Sequence, residues 1–286
     1  MIYQKEIADI AEKKGFTKNT IDKDWVLGHF VNAIYQSEVL KNKLIFKGGT
    51  CLRKCYLENY RFSEDLDFTA VQKDFNFTLE ILEDLCEDVS KNTGIQLYIK
   101  SLKPLHYKNL KTGYQAKIRF WGADHSRNQK PPEPIRWQTE IKIEITLFEK
   151  ILFKPLCKNI IHLYSDKDKI NTHAVCYDLR EVLSEKLRAM IQRSYTAPRD
   201  YYDFWYLSKY QKFNWIEIKE AFLEKMNFKG LQFQHQSQFI DTKVEKTLNI
   251  HWKSSLGSHL PQGQLPECNE ILKDLKVLFN STFESQ

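Results

Sequence analysis

The residues best suited to chemistry are two aspartates separated by one residue. Asp65 and Asp67 flank Leu66 in RFSEDLDF, at the end of residues 44–68. In a β-strand, residues i and i+2 point to the same face, so the two carboxylates would stand side by side. Two like charges that close are unfavourable unless a cation lies between them, and Mg²⁺ is a hard ion that binds carboxylate oxygens. The pair therefore predicts a divalent-metal site.

A glycine pair lies upstream of these aspartates and predicts a phosphate site. The apolar residues 44–46 predict a short strand, Gly48 and Gly49 a turn, and Thr50 the start of a helix. The free backbone N–H groups and the positive dipole end at a helix start suit a phosphate, and Lys47 stands beside them. The predicted order of strand, turn, helix, loop and strand places a phosphate site and a metal site in one unit.

The combination of GGT with RFSEDLDF resembles the signature of the polymerase-β-type nucleotidyltransferases. It is closest to the AbiEii/AbiGii toxin family, of which the MenT toxins are members. The resemblance implies that NTP phosphates bind at the glycine turn with help from Arg61 and Ser63. It also implies that Asp65 and Asp67 hold Mg²⁺, with two ions flanking the transferred phosphate. A phosphate-binding P-loop is not predicted, because residues 46–54 lack the G-x-x-x-x-G-K-[ST] pattern.

A third carboxylate is predicted on a later strand, in WQTEIKIEITLF. Isoleucines alternate there with Glu140, Lys142 and Glu144, so the polar side chains share one face. A half-buried strand explains this alternation by itself. The resemblance implies in addition that a neighbouring strand completes the metal site. Glu144 is central on the polar face and is the candidate, with Glu140 as the alternative.

A lysine in an apolar stripe is the most informative residue of the second half. Residues 177–193 predict one helix, and Lys186 falls within its apolar face, whereas Glu181 and Arg188 fall on the opposite, polar side. An ammonium on a packing face is costly to desolvate. Either its stem extends the charge to solvent, or this face looks across a cleft toward the carboxylates, where Lys186 would bind phosphate or pyrophosphate.

Two short motifs near this helix extend the resemblance to the same family. They are E-K-L-R-A at 185–189 and R-D-x-x-D at 199–203. Family members carry a functional aspartate in this region, which the resemblance places at Asp200. A helix start after Pro198 would also explain an acidic residue there. Asp203 lies one turn further on, and a role in orienting a neighbouring arginine is the alternative.

A basic strip at residues 100–119 bears on the nucleotide acceptor. It contains six basic residues, no acidic one, and the interleaved Tyr107 and Tyr114, in a chain of net charge +6. Such a strip suits phosphate contacts and base stacking, but a solvated connection between strands explains it equally. The resemblance implies an RNA acceptor, with tRNA known for some members, and a separately encoded antitoxin. A small-molecule or protein hydroxyl acceptor, and a non-catalytic binding protein, are the alternatives.

Length and composition predict the domain organisation. The 286 residues suggest about two domains. With the resemblance, we expect an α+β fold: a nucleotidyltransferase domain at 1–172, with a mixed sheet flanked by helices, and a helical bundle at 173–286. Residues 122–136 predict an exposed loop. The chain lacks an apolar run long enough for a membrane span and begins without a secretory h-region, so a cytoplasmic protein is expected.

The cysteines predict reduced, mostly buried thiols. There are six, and none forms a C-x-x-C pair. Cys51 and Cys55 fall on one helix face, but no His or Cys pair close to them in sequence completes a zinc site.

Overall fold

The computed structural model describes residues 1–126 and 128–284. Arg127, within the predicted loop, and residues 285–286, at the end of the predicted second domain, lie outside the described residues. The chain divides into two compact units. The first comprises Met1–Glu149 and Pro155–Tyr177, and the second comprises Lys150–Lys154 and the chain from Asp178 onward.

The first unit is built on a mixed β-sheet with helices. Its elements, in chain order, are α1 (Gln4–Lys14), α2 (Lys18–Gln36), β1 (Leu44–Lys47), α3 (Gly48–Cys51), β2 (Asp65–Ala70), α4 (Leu79–Thr93), β3 (Gln96–Tyr107), β4 (Leu110–Trp121), β5 (Glu140–Thr146), β6 (Leu156–Asn159) and β7 (His173–Cys176). The helix α3 continues directly into one π-helical turn, Leu52–Tyr56. The strand order is β3-β4-β5-β2-β1-β7-β6.

The sheet combines parallel and antiparallel pairs. The strand β2 pairs in parallel with β5, and β1 pairs in parallel with β7. The pairs β1–β2, β3–β4, β4–β5 and β6–β7 are antiparallel. The predicted α+β class with a mixed sheet is therefore confirmed.

One face of this sheet is buried in the core and the other is polar. On β5, Ile141, Ile143 and Ile145 are at most 1% exposed, and the residues between them are partly exposed. On β2, Leu66 and Phe68 are fully buried. The period of two thus places Asp65 and Asp67 on the polar face, as the sequence predicted.

The second unit is helical throughout its regular structure in the described chain. Its helices are α5 (Leu179–Gln192), α6 (Pro198–Tyr210), α7 (Trp215–Phe228), α8 (Thr242–Leu256) and α9 (Cys268–Phe283). Its core is aromatic: Phe204, Phe222, Phe239 and Phe279 are almost fully buried, and Phe239 packs against Phe222 and Phe279.

The helix α5 is buried on more than its apolar face. Glu181 and Arg188, expected on a polar side, are 0% and 7% exposed. The Glu181 carboxylate accepts the backbone N–H groups of Leu152 and Phe153 and lies 2.5 Å from the Lys225 ammonium. The polar side of the helix is buried at Glu181 because residues 152 and 153, from earlier in the chain, contact that carboxylate. Helical periodicity does not encode such a contact.

The boundary between the units differs from the predicted one at 172/173. The strand β7 follows that position, yet it pairs with β1 and β6 and belongs to the sheet. Residues 150–154, by contrast, pack with the helical unit through Glu181 and Lys225, whose ammonium also donates to the Lys150 carbonyl. None of the helices in the described residues has the length and apolarity needed to cross a membrane.

Candidate active site

The glycine turn packs closely against β2, the strand that carries Asp65 and Asp67. Gly48 has a φ of +79°, and a Cβ there would lie 2.4 Å from Oδ2 of Asp67. A Cβ on Gly49 would lie 2.8 Å from Nη2 of Arg61 and 2.9 Å from Oγ of Ser63. At Gly48, only glycine satisfies both the left-handed backbone and the close approach to Asp67. The turn therefore brings together five of the predicted site residues: Gly48, Gly49, Arg61, Ser63 and Asp67.

The helix after β1 begins at Gly48, two residues earlier than expected. Thr50 is buried, and its hydroxyl donates to the backbone carbonyl of Asp65 at 2.5 Å. This bond ties the start of the helix to the acidic strand, so the Thr50 side chain positions the turn. The Lys47 ammonium lies 5.6 Å from the centre of the Tyr177 ring.

A row of polar side chains crosses the sheet at the level of Asp67. Asp67 pairs with Lys47 on β1 and with Glu144 on β5, and Glu144 pairs with Gln115 on β4. Directly paired residues on adjacent strands project from the same face. The amide of Gln115 also donates to Glu144 at 3.1 Å. The predicted third carboxylate, Glu144, is thus the immediate neighbour of Asp67.

Lys142 lies between the acidic side chains, and sequence reasoning missed it as a site residue. Its ammonium is 3.1 Å from Oδ2 of Asp65 and 2.8 Å from Oε2 of Glu144. It pairs with Asp65 in register. The available signal was its place on the polar face two residues before Glu144, but only the register of β2 against β5 brings it to Asp65.

The electrostatics of this cluster fit a divalent cation. Burial, together with the negative charges of Asp65 and Glu144, raises the pKa of the Asp67 carboxyl to about 6. Three carboxylates on adjacent strands thus repel one another, and the Lys142 ammonium compensates part of that charge. Oxygen donors of this kind suit Mg²⁺, which would replace lysine contacts by direct coordination. Asp65, Asp67 and Glu144 are the residues that would hold it.

Glu140, the alternative third carboxylate, is engaged elsewhere. It pairs with Arg119 in register, and its oxygens lie 2.6 Å from the Lys100 ammonium and 3.6 Å from that of Lys117. Glu140 lies four residues from Glu144 on β5 and pairs with its own cations. The geometry therefore favours Glu144 over Glu140 as a metal ligand.

This difference predicts a selective effect on metal affinity. We expect Glu144→Gln to weaken Mn²⁺ binding by about 10- to 100-fold, because it removes a charged ligand next to Asp67. The matched change Glu140→Gln, on the same strand and face, should leave the affinity within about twofold. A Mn²⁺ titration monitored by electron paramagnetic resonance measures the affinity of both variants. Equal losses in the two variants would contradict the assignment.

The remaining candidates form a network within the helical unit. The Lys186 ammonium donates to Oδ1 of Asp200 at 2.9 Å and to Oδ2 of Asp203 at 2.7 Å. Arg193 also donates to Asp200. Asp203 is fully buried, and Lys186 is 9% exposed. The charge of Lys186 in the apolar stripe is therefore compensated by two aspartates, and its side chain does not extend to solvent. Asp203 belongs to this network.

Replacing Lys186 with methionine separates a structural role from a catalytic one. We expect Lys186→Met to lower the Tm by roughly 5 to 10 °C, because it removes a cation that pairs with the buried Asp203 carboxylate at 2.7 Å. If Lys186 also binds phosphate, the KM for NTP rises at least about tenfold at a temperature where the variant is folded. Asp203→Asn is the control, because it changes the same buried ion pair but keeps the Lys186 ammonium. A lowered Tm with an unchanged KM would assign Lys186 a structural role alone.

The basic strip is a hairpin of β3 and β4 rather than a loop. Lys103 pairs with Gln115, and therefore continues the row of Lys47, Asp67 and Glu144 onto β3. Lys117 and Arg119 point to the same face. Of the interleaved tyrosines, Tyr107 is 68% exposed, but Tyr114 is buried and donates to Asn76, so it is not available for base stacking.

Comparisons with known proteins show the family to which this chain belongs. The family model described as nucleotidyl transferase AbiEii toxin, type IV TA system, matches residues 32–274. MenT4, a nucleotidyltransferase toxin from Mycobacterium tuberculosis H37Rv, is similar in structure with a TM-score of 0.64 and 18% sequence identity, over 100% of this chain and 91% of that one.

JHP933 from Helicobacter pylori is also similar, with a TM-score of 0.54 and 15% identity over 93% of each chain. At these identities, the two structures show a shared fold. No curated protein is significantly similar to this chain in sequence. Because the family match spans most of its length, this chain belongs to the AbiEii nucleotidyltransferase toxin family of type IV toxin–antitoxin systems and is a nucleotidyltransferase.

Proposed function

We propose that this protein transfers a nucleotide from an NTP to RNA, with tRNA as the acceptor class, in a Mg²⁺-dependent reaction. One observation carries the proposal: the row across five strands that runs from Lys47 through Asp67 and Glu144 to Gln115 and Lys103. It joins a carboxylate cluster beside a glycine turn to a cationic part of the same sheet face. The first part suits a metal–triphosphate and the second a polyanion.

The residues of the turn would bind and orient the triphosphate. The backbone at Gly48 and Gly49 can approach phosphate oxygens closely because neither residue carries a Cβ. Arg61 and Ser63, which flank Gly49, would donate to the same oxygens and neutralise charge that develops in the transition state. Lys47, at the end of β1, would also contact the phosphates. Thr50 would hold the turn in register with Asp65.

The carboxylates would hold the metal ions and orient the acceptor hydroxyl. When bound, the ions supply Lewis-acid polarisation of the α-phosphate and stabilise the entering and leaving oxygens. Asp65, Asp67 and Glu144 are the proposed ligands, and two Mg²⁺ ions are proposed. Lys142 would have to leave its position between Asp65 and Glu144 when an ion binds, which frees its ammonium for a phosphate contact.

The helical unit would contribute through Lys186 and Asp200. In this proposal, Lys186 binds phosphate or the leaving pyrophosphate, and Asp200 controls the position of its ammonium through their 2.9 Å contact. Asp203 supports the same lysine from the buried side. These roles rest on the resemblance to the family and on the contacts within the unit.

The acceptor would lie along the cationic face of the hairpin. Lys103 and Tyr98 are exposed there, and Lys117 and Arg119 are partly exposed. Phosphate contacts from lysine and arginine with an exposed tyrosine for stacking are the common means of binding single-stranded nucleic acid. A small metabolite would not need a cationic surface of this extent.

Incubation with each labelled NTP, Mg²⁺ and total tRNA tests the proposal. We expect label in RNA, lost on chelation of the metal and lost in Asp67→Asn. A double charge reversal, Lys103→Glu with Lys117→Glu, should weaken RNA use by at least about tenfold while leaving NTP binding unchanged. Label that enters only a small molecule or a protein would overturn the RNA assignment, and NTP binding without transfer would indicate a binding protein.

The family also bears on partners. Because the chain belongs to a family of toxins from type IV toxin–antitoxin systems, we propose that a separately encoded antitoxin restrains its activity in the cytoplasm. Expression of the chain alone and together with a candidate antitoxin, scored by growth, tests this part. Equal growth inhibition by the wild type and Asp67→Asn would contradict a toxicity based on transfer.

A further inference from the structure

Three thiols converge beside the glycine turn, a site that the transfer reaction does not use. One ligand atom from each of Cys51, Cys55 and Cys176 lies within 4.8 Å of the others. The first two lie four residues apart on the helical segment that begins at Gly48, and the third ends β7. Sequence reasoning left Cys51 and Cys55 without a third ligand, since Cys176 is more than a hundred residues away.

We propose that Cys51, Cys55 and Cys176 bind one thiophilic d10 metal ion, Zn²⁺ or Cu⁺. Thiolate ligands select these ions over the hard ions that carboxylates bind. With a metal–sulfur distance of about 2.3 Å, three sulfurs on one ion lie about 4 Å apart. The three sulfurs therefore need only small side-chain shifts to reach a common ion.

Burial and local charge agree with a closed metal site. Cys51 and Cys176 are fully buried, and Cys55 is 7% exposed. The Lys158 ammonium, on β6, is close enough to Cys55 and Cys176 to act on both electrostatically, and would compensate part of the charge of a thiolate cluster. By contrast, Cys157 is exposed, and the buried Cys86 lies on α4, outside the three-thiol group.

A metal ion at this site would stabilise the glycine turn. Cys51 follows Thr50 directly, and Cys176 pairs with Phe46 at the end of β1. The next residue, Tyr177, donates its backbone N–H to the Phe46 carbonyl at 3.0 Å. An ion held by the three cysteines would therefore link the helical segment after the turn to the strand beside β1.

The same cluster has consequences for proton release. Metal ions bind the thiolate form, so each protonated thiol loses its proton to solvent as the metal–sulfur bond forms. Binding of one ion to three thiols therefore releases up to three protons and requires neither oxidant nor reductant. Proton release measured with a pH indicator counts the participating thiols.

Equilibrium binding of Zn²⁺ and of Cu⁺, each against a chromophoric chelator, tests the site in the reduced full-length chain. We expect one tight ion per wild-type chain and an affinity loss above about a hundredfold in Cys176→Ala and in Cys55→Ala, since loss of an outer-shell partner alone costs 10- to 100-fold. Cys86→Ala, a buried control, should bind as the wild type does.

Thermal melting provides the second readout. The bound ion should raise the Tm of the wild type and of Cys86→Ala, but not that of Cys176→Ala. Absence of tight binding of both ions, or binding unchanged in Cys176→Ala and Cys55→Ala, would overturn the proposal. Chelator competition does not require transfer activity, so this outcome is independent of the nucleotide acceptor.

Discussion

Asp67→Asn should abolish nucleotide transfer while the protein remains folded. We expect kcat/KM to fall by at least about a thousandfold, because the change removes a metal-binding charge at the centre of the polar row. Asp67 has Lys47 on one side and Glu144 on the other, and its carboxylate approaches Gly48 so closely that a side chain would not fit between them. Loss of this single charge would therefore affect both the proposed metal site and the glycine turn.

The measurement is single-turnover transfer at saturating Mg²⁺, with circular dichroism to verify the fold. Glu140→Gln is the matched control, since it removes a carboxylate from the same sheet face without touching Asp67. It should retain activity within a few-fold. Transfer by a folded Asp67→Asn protein at more than about a tenth of the wild-type rate would refute the metal assignment.

The same variant should change how stability depends on pH in the metal-free protein. Burial and the charges of Asp65 and Glu144 raise the pKa of Asp67 to about 6, from an ordinary value of 3.8. A raised carboxyl pKa favours folding below pH 4, and this contribution is lost as the pH rises to 6. In Asp67→Asn this loss disappears, so the Tm should decline less between pH 4 and 6. Melting curves at both pH values, without metal, measure the difference.

Asp24→Asn should cause the largest loss of stability. Asp24 is 3% exposed, and its oxygens lie 2.7 Å from Nε of Arg53 and 2.7 Å from Nζ of Lys54. The Tyr164 hydroxyl also donates to it, at 2.8 Å. Removing the one negative charge leaves two buried cations, and breaking a buried ion pair costs about 3 to 5 kcal/mol. The Tm should fall by roughly 10 °C.

This network also supports the candidate site. Besides binding Asp24, Arg53 donates to the backbone carbonyl of Tyr60, just before Arg61. The same guanidinium stacks on the Phe62 ring, 3.5 Å from its centre. The network therefore connects the helical segment after the glycine turn to the loop that carries Arg61 and Ser63. We expect folded Asp24→Asn to show a raised KM for NTP as well.

An exposed ion pair supplies the contrast. Glu38 and Lys41 lie 2.6 Å apart on the surface, with the Glu38 side chain 83% exposed, and Glu38→Gln should change the free energy of unfolding by less than about 1 kcal/mol. Although burial alone would raise the pKa of Asp24, Arg53 and Lys54 outweigh it and hold that pKa well below its usual range. Its stabilising effect therefore persists at neutral pH and is lost only on acidification. Similar losses in Asp24→Asn and Glu38→Gln would contradict the role of burial.

The sequence by itself determined the local part of the candidate site. Two aspartates at i and i+2 must share a strand face, so the placement of Asp65 and Asp67 followed from a period of two. The alternation of isoleucines at 141–145 likewise identified the face of Glu144. A glycine pair after a short apolar run indicated the turn, whose need for glycine the φ of +79° at Gly48 explains. Each of these inferences depends on residues close in sequence.

The tertiary structure decided everything that depends on register and on distant contacts. The parallel register of β2 against β5 puts Glu144 beside Asp67 and Lys142 beside Asp65, which an alternating pattern cannot specify. Burial of Glu181 by residues 150–154, and the meeting of Cys176 with Cys51 and Cys55, also join segments far apart in the chain. Backbone sterics make periodicity a local property, whereas register and burial are set by how whole elements pack. The sequence could therefore predict the candidate residues, and only the packing of the elements determined their neighbours.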